Sequence, residues 1–264
     1  ARVTHAAACV AMQDVGAYTR DVRYFIAQGV HPLALYNHTA VLFSQREHLG
    51  RENTLESILL ILRRFERLDP DDFEEGAIEG ASLAPALTRV RLEVARAHFD
   101  YPSGPARRGR LWHLYLWAIR VAVSTLHKEL GQFPLAVAGY RSALTLMPDD
   151  GHTMVDLARA LSAAGRVNRA IPFYEKGIAL EPFMYIARLE LATLFLEAGR
   201  ARDAANLLAD TIVTGIRRDA PYFVAFRLLA LAHMHSGNAA AALEVAQTGS
   251  AQFEMVALET DELG

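Results

Sequence analysis

Histidine is one candidate metal ligand in this sequence, which contains 10 histidines and a single cysteine, Cys9. His233 and His235 are two apart, and side chains at that spacing point to nearly opposite sides of a helix. His31 and His38 are seven apart and could share a helix face, but no neighbouring Cys or Glu completes a ligand set. We therefore predict a packing role for His233 and likewise for His127, and we expect neither a metal nor any other cofactor.

Acidic side chains are concentrated between Asp69 and Glu75 and invite comparison with a calcium-binding loop. An EF-hand loop needs alternating acidic ligands and a glycine at its sixth position. Counted from Asp69, the fifth and sixth positions are Phe73 and Glu74, so the loop pattern fails. The acidic run instead predicts a solvated turn whose charges favour a helix N-terminus.

Nucleophilic catalysis has one candidate pair, Ser124 and His127, three positions apart on one predicted helix. No acidic residue is placed to orient the histidine, which a Ser-His arrangement requires. The sequence contains no G-x-S-x-G elbow and neither of the common phosphate-binding glycine motifs. Cys9 is predicted to be a buried structural residue rather than a reactive thiol. The sequence therefore does not predict an enzyme.

Arginines and aromatic residues are interleaved in one stretch, around the breaker sequence 101–105. Such a cluster could contact nucleic acid, phospholipid head groups or an acidic partner. The whole chain, however, has a net charge of -3, whereas duplex-binding domains normally carry a basic excess. We expect no DNA partner, and contact with nucleic acid or a membrane surface is kept as an alternative function. The arginines of this cluster are Arg89, Arg91, Arg96, Arg107, Arg108 and Arg110.

The elements that position these residues are indicated by a repeat. Gly131, Gly165 and Gly199 follow one another at a constant interval, and Gly237 follows after a slightly longer one. Four other positions keep a fixed distance from each glycine. Eight positions before it are Val123, Leu157, Leu191 and Leu229, and seven before are Ser124, Ala158, Ala192 and Ala230. Five positions after it are Ala136, Ala170, Ala204 and Ala242, and nine after are Tyr140, Tyr174, Leu208 and Ala246.

This framework describes pairs of packed helices. Apolar residues spaced three and four apart form one helix face, and a glycine in a left-handed conformation suits the end of the first helix, helix A. The small residues let helices A and B approach closely, and the larger residue nine positions after the glycine fills the space between pairs. Pro148 and Pro182 end the second helix, helix B. Each pair leaves an apolar face bare, so successive pairs are expected to stack.

Pro172 is used differently, because it lies within a predicted helix B rather than at its end. A proline there removes one backbone hydrogen bond. If Asn168 is the N-cap, the loss falls in the first turn, where it should be tolerated.

The pattern resembles the tetratricopeptide repeat (TPR) over residues 117–253. Two adjacent copies match well, from Leu130 to Pro148 and from Gly165 to Pro182. The family's tryptophan at repeat position four is absent, and Arg120, Met154, Arg188 and Phe226 stand in those places. The resemblance implies an all-α fold, a right-handed helical-repeat solenoid of antiparallel helix pairs with a degenerate N-terminal half.

The first half of the chain follows the repeat less closely. Gly16 and Gly50 are separated by the same interval and predict two degenerate repeats over 2–69. A helix is predicted over 83–100, followed by the strongest breaker in the chain, 101–105, and a long helix over 107–129. We therefore predict an N-terminal helical lobe at 1–105, an array of about four repeats at 106–253 and an acidic tail at 254–264.

The resemblance also implies a binding surface, because the A helices of TPR arrays line a concave groove. The groove-facing residues implied here are Val121, Thr125, Lys128, His152, Asp156, Arg159, Leu189, Glu190, Thr193, Arg227 and Leu231, and Val155 maps to the same set. The clamp with which chaperone-binding members hold a C-terminal carboxylate is not reproduced. Its positions hold Val121, Thr125, Asp156, Ile186 and Glu190.

The function predicted from these features is a scaffold or adaptor that binds a peptide or helix of another protein. The first alternative is a substrate-recruiting domain or subunit of a larger enzyme. Apolar stretches such as 58–62 are too short to cross a membrane, and the expected setting is the bacterial cytoplasm, with the periplasm left open. The first residue, Ala1, suggests a processed or trimmed product. The partner's identity and the oligomeric state are not predicted.

Overall fold

The computed structural model describes residues 32–69, 104–214 and 220–261, with isolated helical positions at 20, 93, 96, 97 and 100. Every regular element in these ranges is an α-helix. The chain divides into two compact units, residues 1–164 and 165–264. The predicted lobe boundary near residue 105 falls inside the first unit, and the division into lobes stays a prediction.

Several residues discussed above lie outside the described ranges: Cys9, Gly16, His31, the acidic residues after Asp69, Arg89 and Arg91. Most of the predicted helix at 83–100 also lies outside them. Among the residues that are described, no helix is long and apolar enough to cross a membrane.

The first unit is built around one long helix. Its helices are α1 (Pro32–Ser44), α2 (Arg46–Leu49), α3 (Arg51–Phe65), α4 (Pro105–Glu129), α5 (Phe133–Leu146) and α6 (Gly151–Ala163). Helix α4, expected at 107–129, is confirmed, and it packs against α1, α3 and α5. Pro105 lies in its first turn, where a missing N–H costs no intrahelical hydrogen bond.

Aromatic residues of α4 anchor the core of this unit. Tyr115 is buried against Tyr36 of α1, with ring centroids 4.7 Å apart. Trp112 packs against Phe65 of α3 with ring centroids 6.2 Å apart. The aromatic residues interleaved with the arginine cluster therefore help to join α4 to the helices that precede it.

The second unit is a succession of helices, each packed against the next along the chain. They are α7 (Val167–Leu180), α8 (Tyr185–Glu197), α9 (Ala201–Thr214), α10 (Ala220–His235) and α11 (Ala239–Asp261). Short turns join α8 to α9 and α10 to α11, as expected for antiparallel helix pairs. A helices also contact each other, α8 against α10 here and α4 against α6 in the first unit.

The four repeat glycines adopt the left-handed conformation predicted for them, with φ of 72°, 72°, 70° and 78°. After α4, the Gly131 N–H donates to the Lys128 carbonyl, and the Gln132 N–H donates to the His127 carbonyl at 2.8 Å. The turn at Gly199 has the same pair of bonds. These bonds satisfy carbonyls that a helix end would otherwise leave unpaired, so the glycine pattern does mark the ends of A helices.

The framework residues around each glycine form the contacts between helices. Ala136, Ala170 and Ala204 are fully buried, as are Tyr140 and Leu208 at the position nine after the glycine.

At repeat position four, two arginines replace the family's tryptophan and reach helix B. Arg120 donates to the Ser142 carbonyl at 3.3 Å, and Arg188 pairs with Asp210 at 2.5 Å. Both contacts join residues with the same separation along the chain. At these two positions, polar contacts of arginine therefore join helix A to helix B in place of tryptophan packing.

Pro172 lies inside α7, and its expected N-cap is corrected by the structure. The N-cap is Arg166 rather than Asn168, and the helix begins at Val167. Pro172 is therefore the sixth residue of the helix and removes the hydrogen bond to the Asn168 carbonyl. The helix continues because Ala170 and Tyr174, on either side of the proline, are buried in packing contacts.

The closest approach of α4 to α5 leads to a prediction about Gly139. A Cβ at this position would overlap the hydroxyl of buried Ser124 and lie 3.2 Å from its Cβ. We expect Gly139→Ala to lower the free energy of unfolding by about 1–3 kcal/mol, the usual cost of overpacking. Urea unfolding followed by circular dichroism measures it.

The matched control is Gly109→Ala on α4, where an added Cβ meets nothing within 4 Å. Because alanine favours helix, this change should stabilise by about 0.5–1 kcal/mol. Ser124→Ala should restore part of the stability lost in the Gly139 variant. Equal effects of both glycine substitutions would contradict the proposed close contact.

Candidate functional site

The predicted groove residues of the first unit lie on its two A helices, α4 and α6. Val121, Thr125 and Lys128 follow one another on α4 and are half-buried. On α6, His152 is exposed, and Asp156 and Arg159 are half-buried. Val155, which maps to the same set, is 1% exposed and belongs to the core instead.

Three of these residues form a charged cluster. Asp156 accepts from the Lys128 ammonium at 3.0 Å and from the Arg159 guanidinium at 3.3 Å. The first contact joins α4 to α6, and the second lies within α6. Because two cations meet at one carboxylate, the three side chains together carry a positive charge that could attract a carboxylate from outside.

Tyr140 of α5 is buried next to this cluster. Its hydroxyl lies 2.9 Å from the Thr125 hydroxyl, and the Lys128 ammonium lies 5.8 Å from the centre of its ring. Burial raises the pKa of Tyr140 well above its usual value, and the Asp156 carboxylate raises it further. The phenol is therefore a neutral hydrogen-bonding and cation-π partner over the physiological pH range.

The groove residues of the second unit lie on α8 and α10. Glu190 accepts a hydrogen bond from the hydroxyl of Tyr174 at 3.1 Å, and Thr193 is exposed. Leu189 is only 9% exposed and offers little surface to a ligand. Arg227 and Leu231 of α10 are both exposed. The structure thus places accessible side chains at four of these five positions.

A cleft opens beside the last two of these residues. Its volume is about 480 Å³, and Arg227, Leu231 and Met234 of α10 form part of one wall. Arg227 forms no ion pair with any residue in the described ranges. Met234 is 62% exposed. The groove predicted from the sequence did not include it, although it occupies the same repeat position as Lys128. The same period would also have added Ile186, which is exposed and lies one repeat after His152.

The candidate nucleophilic pair is not assembled. The Ser124 hydroxyl is buried and donates to the Arg120 carbonyl at 2.6 Å. A nitrogen of the His127 ring lies 2.6 Å from the Gln132 side-chain oxygen. Both side chains therefore have local structural contacts, and neither activates the other.

The arginine cluster is partly neutralised by one acidic residue. Glu93 is largely buried and pairs with Arg96 at 2.7 Å and with Arg110 at 3.6 Å. A carboxylate held between two arginines lowers the positive charge available to a phosphate. This contact gives the nucleic-acid alternative no structural support.

Comparison with known proteins bears on the fold. No protein-family model matches the sequence, and no curated protein is significantly similar to it. Among solved structures, BtubC (BKLC) from P. vanneervenii aligns over 97% of this chain and 91% of its own, with a TM-score of 0.59 and 14% identity. A putative kinesin light chain of Podosopora anserina with nearly identical TPR-like repeats aligns over 86% of this chain and 98% of its own, with a TM-score of 0.57 and 15% identity.

The chain therefore has the fold of a tetratricopeptide-repeat protein. The glycine turns, the buried alanines and the paired helices within each unit are the features that define this class, and the likeness to the two solved structures agrees with them. The all-α repeat fold expected from the sequence is confirmed.

Proposed function

We propose that this protein is an interaction scaffold whose A helices bind a peptide or short helix of a partner protein. The partner segment carries carboxylates and large apolar side chains. The observation that supports this most directly is the exposed face of α10, where Arg227, Leu231 and Met234 follow at helical spacing beside an open cleft. In this function the chain binds its partner and catalyses no reaction.

Exposed apolar side chains beside an exposed cation favour a ligand rather than plain solvation. Leu231 and Met234 expose apolar surface that a partner could remove from water, which is favourable. Arg227 is next to them, and its guanidinium can bind a carboxylate through two hydrogen bonds. A peptide with an acidic residue near a Leu, Ile or Phe would satisfy both groups.

The cluster on α4 and α6 favours the same chemistry in the first unit. Lys128 and Arg159 both contact Asp156, so an incoming carboxylate would meet two cations at this place. Thr125, which is half-buried, provides a hydroxyl group beside them, and the buried Tyr140 hydroxyl contacts that group at 2.9 Å. Because the clamp residues of chaperone-binding members are absent, we propose acidic side chains rather than a terminal carboxylate as the preferred groups.

The test is a selection of displayed peptides on the purified protein, followed by affinity measurements with a selected peptide. Arg227→Glu is expected to weaken peptides that bind to the second unit about tenfold, which is about 1.4 kcal/mol, and Arg159→Glu should do the same for peptides that bind to the first unit. Arg202→Glu on α9 and Arg141→Glu on α5 change the same charge on exposed helix B positions. They should bind as the unaltered protein does.

Two results would contradict the proposal. One is a selected peptide that keeps its affinity in both groove variants. The other is a selection that enriches no acidic peptide, since Arg227 and the Lys128–Arg159 pair should attract carboxylates. Circular dichroism of each variant confirms that a loss of binding does not come from unfolding.

A further inference from the structure

Helix α11 exposes a stripe of side chains whose equivalents on α5 and α7 are buried or half-buried. The stripe consists of Leu243, Ala246, Ser250 and Phe253, which follow Gly237 at helical spacing. Leu243 is 60% exposed and Phe253 is 59% exposed. On α7 the residues equivalent to the first three are Ile171, Tyr174 and Ile178, and all three are buried.

Within the array these positions are covered by the next A helix. Helix α8 packs on α7 and α10 packs on α9, just as α6 packs on α5 in the first unit. The stripe on α11 therefore has the composition of a surface built to receive a helix, but no helix in the described ranges covers it. The exposed residues of α11 thus occupy positions that contact the next repeat elsewhere in the array.

The residue nine positions after the glycine is smaller on α11, and a cavity lies beside it. Tyr140, Tyr174 and Leu208 fill this position in the other repeats, whereas α11 has Ala246. The cleft of about 480 Å³ described above opens at this place, between α10 and α11. Phe253 forms part of its α11 wall. A large apolar side chain supplied by another molecule would occupy the space that a tyrosine fills elsewhere.

Charge indicates what kind of helix would fit. Over 239–261, α11 contains four acidic residues and no Lys, Arg or His. Glu244 and Glu254 are exposed and directly follow Leu243 and Phe253. Packing of α11 against α11 of a second copy would bring only like charges together, which is unfavourable. A helix whose Lys or Arg residues lie on the α11 side, away from Arg227 on the α10 wall of the cleft, would pair with these carboxylates.

We propose that the stripe on α11 is a second docking surface, which shares its cleft with Arg227, Leu231 and Met234 of the A-helix groove and accepts a basic amphipathic helix of a partner protein. The helix inserts one large apolar side chain into the cleft at Ala246 and covers Leu243 and Phe253. Its basic residues pair with Glu244 and Glu254. It thereby takes the place that an A helix takes in the other repeats.

The test uses two synthetic helical peptides with the same Leu and Phe face, one flanked by lysines and the other by glutamates. Their affinities for the full 264-residue chain are measured by fluorescence anisotropy. We expect the lysine peptide to bind at least tenfold more tightly, and added salt to reduce the difference. Leu243→Gln should weaken binding of the lysine peptide about tenfold. Because Leu243 is exposed, the fold should tolerate this change, which a melting curve checks directly.

Charge reversal on α11 is the decisive variant. Glu244→Lys with Glu254→Lys should reverse the preference, so that the glutamate peptide binds more tightly. The matched control reverses Glu52 and Glu56 on α3, which are exposed and far along the chain. It should leave the preference unchanged, which separates docking on α11 from general attraction to an acidic protein.

Three outcomes would overturn the proposal. The two peptides could bind equally or not at all, or the preference could survive charge reversal on α11. The chain could also self-associate in sedimentation experiments in a way that Leu243→Gln abolishes, which would make a second copy the occupant. The first-unit variant Arg159→Glu should bind the lysine peptide normally, which separates docking on α11 from binding at the Lys128–Arg159 pair.

Discussion

Truncation of Tyr140 to alanine is expected to lower the free energy of unfolding by about 3–5 kcal/mol, the range found for buried aromatic residues. Tyr140 is fully buried between helices of the first unit. Its removal leaves a cavity at the position that fills the space between repeats, and it also leaves the Thr125 hydroxyl without this contact. Urea unfolding monitored by circular dichroism provides the measurement.

Two further variants separate the contributions of the ring and the hydroxyl. Tyr140→Phe keeps the ring and removes only the hydrogen bond to Thr125, so its cost should be about 1 kcal/mol. Tyr174→Ala makes the equivalent cavity in the second unit and should cost about as much as Tyr140→Ala. A loss below about 1 kcal/mol for both alanine variants would mean that neighbouring helices collapse into the space.

Alkaline pH is expected to destabilise the protein steeply. Burial raises the pKa of Tyr115, and burial together with Asp156 raises the pKa of Tyr140. Below about pH 10 both phenols are protonated in the folded and unfolded states, so they contribute no pH dependence. Above it the unfolded chain releases these protons while the folded chain keeps them, and stability falls by about 1.4 kcal/mol per pH unit for each tyrosine.

At about pH 12 the two tyrosines together should remove about 5 kcal/mol, enough to unfold a domain of ordinary stability. Urea unfolding at a series of pH values above about 9 measures this slope. Tyr140→Phe removes one of these groups, so the slope should fall by about 1.4 kcal/mol per pH unit. A slope unchanged by that substitution would show that Tyr140 is not responsible for the alkaline loss.

The fold could be predicted from the sequence because each copy of the repeat indicates it independently. Glycines at a fixed interval predicted the ends of A helices, and Gly131 and Gly199 have the positive φ and the hydrogen bonds expected there. Buried alanines and Tyr140 appeared at the predicted offsets. The cap of α7 was the exception, since Asn168 has a favourable side chain but Arg166 holds the N-cap position. Local propensity was overridden there by the spacing of the buried residues.

The candidate site was less accessible, because its chemistry comes from contacts between helices. Nothing in the sequence indicates that Lys128 and Arg159 share Asp156. Lys128 and Asp156 are distant along the chain and come within 3.0 Å only through packing of α4 on α6. Repeat position also does not decide exposure. Val155 and Val121 occupy equivalent positions, but only Val121 retains accessible surface. The role of these residues in binding stays a proposal.

Packing between successive helices in the second unit also has a consequence for folding. Most contacts there join elements that are close in the chain, from α7 through α11. Low contact order of this kind favours rapid folding, and it lets a helix with few neighbours open without the rest of the array. Amide protons of α11 should therefore exchange with solvent earlier than those of α8, which has helices on both sides. A ligand bound to α11 would slow the exchange of these amide protons, so the exchange rate would measure binding at this helix.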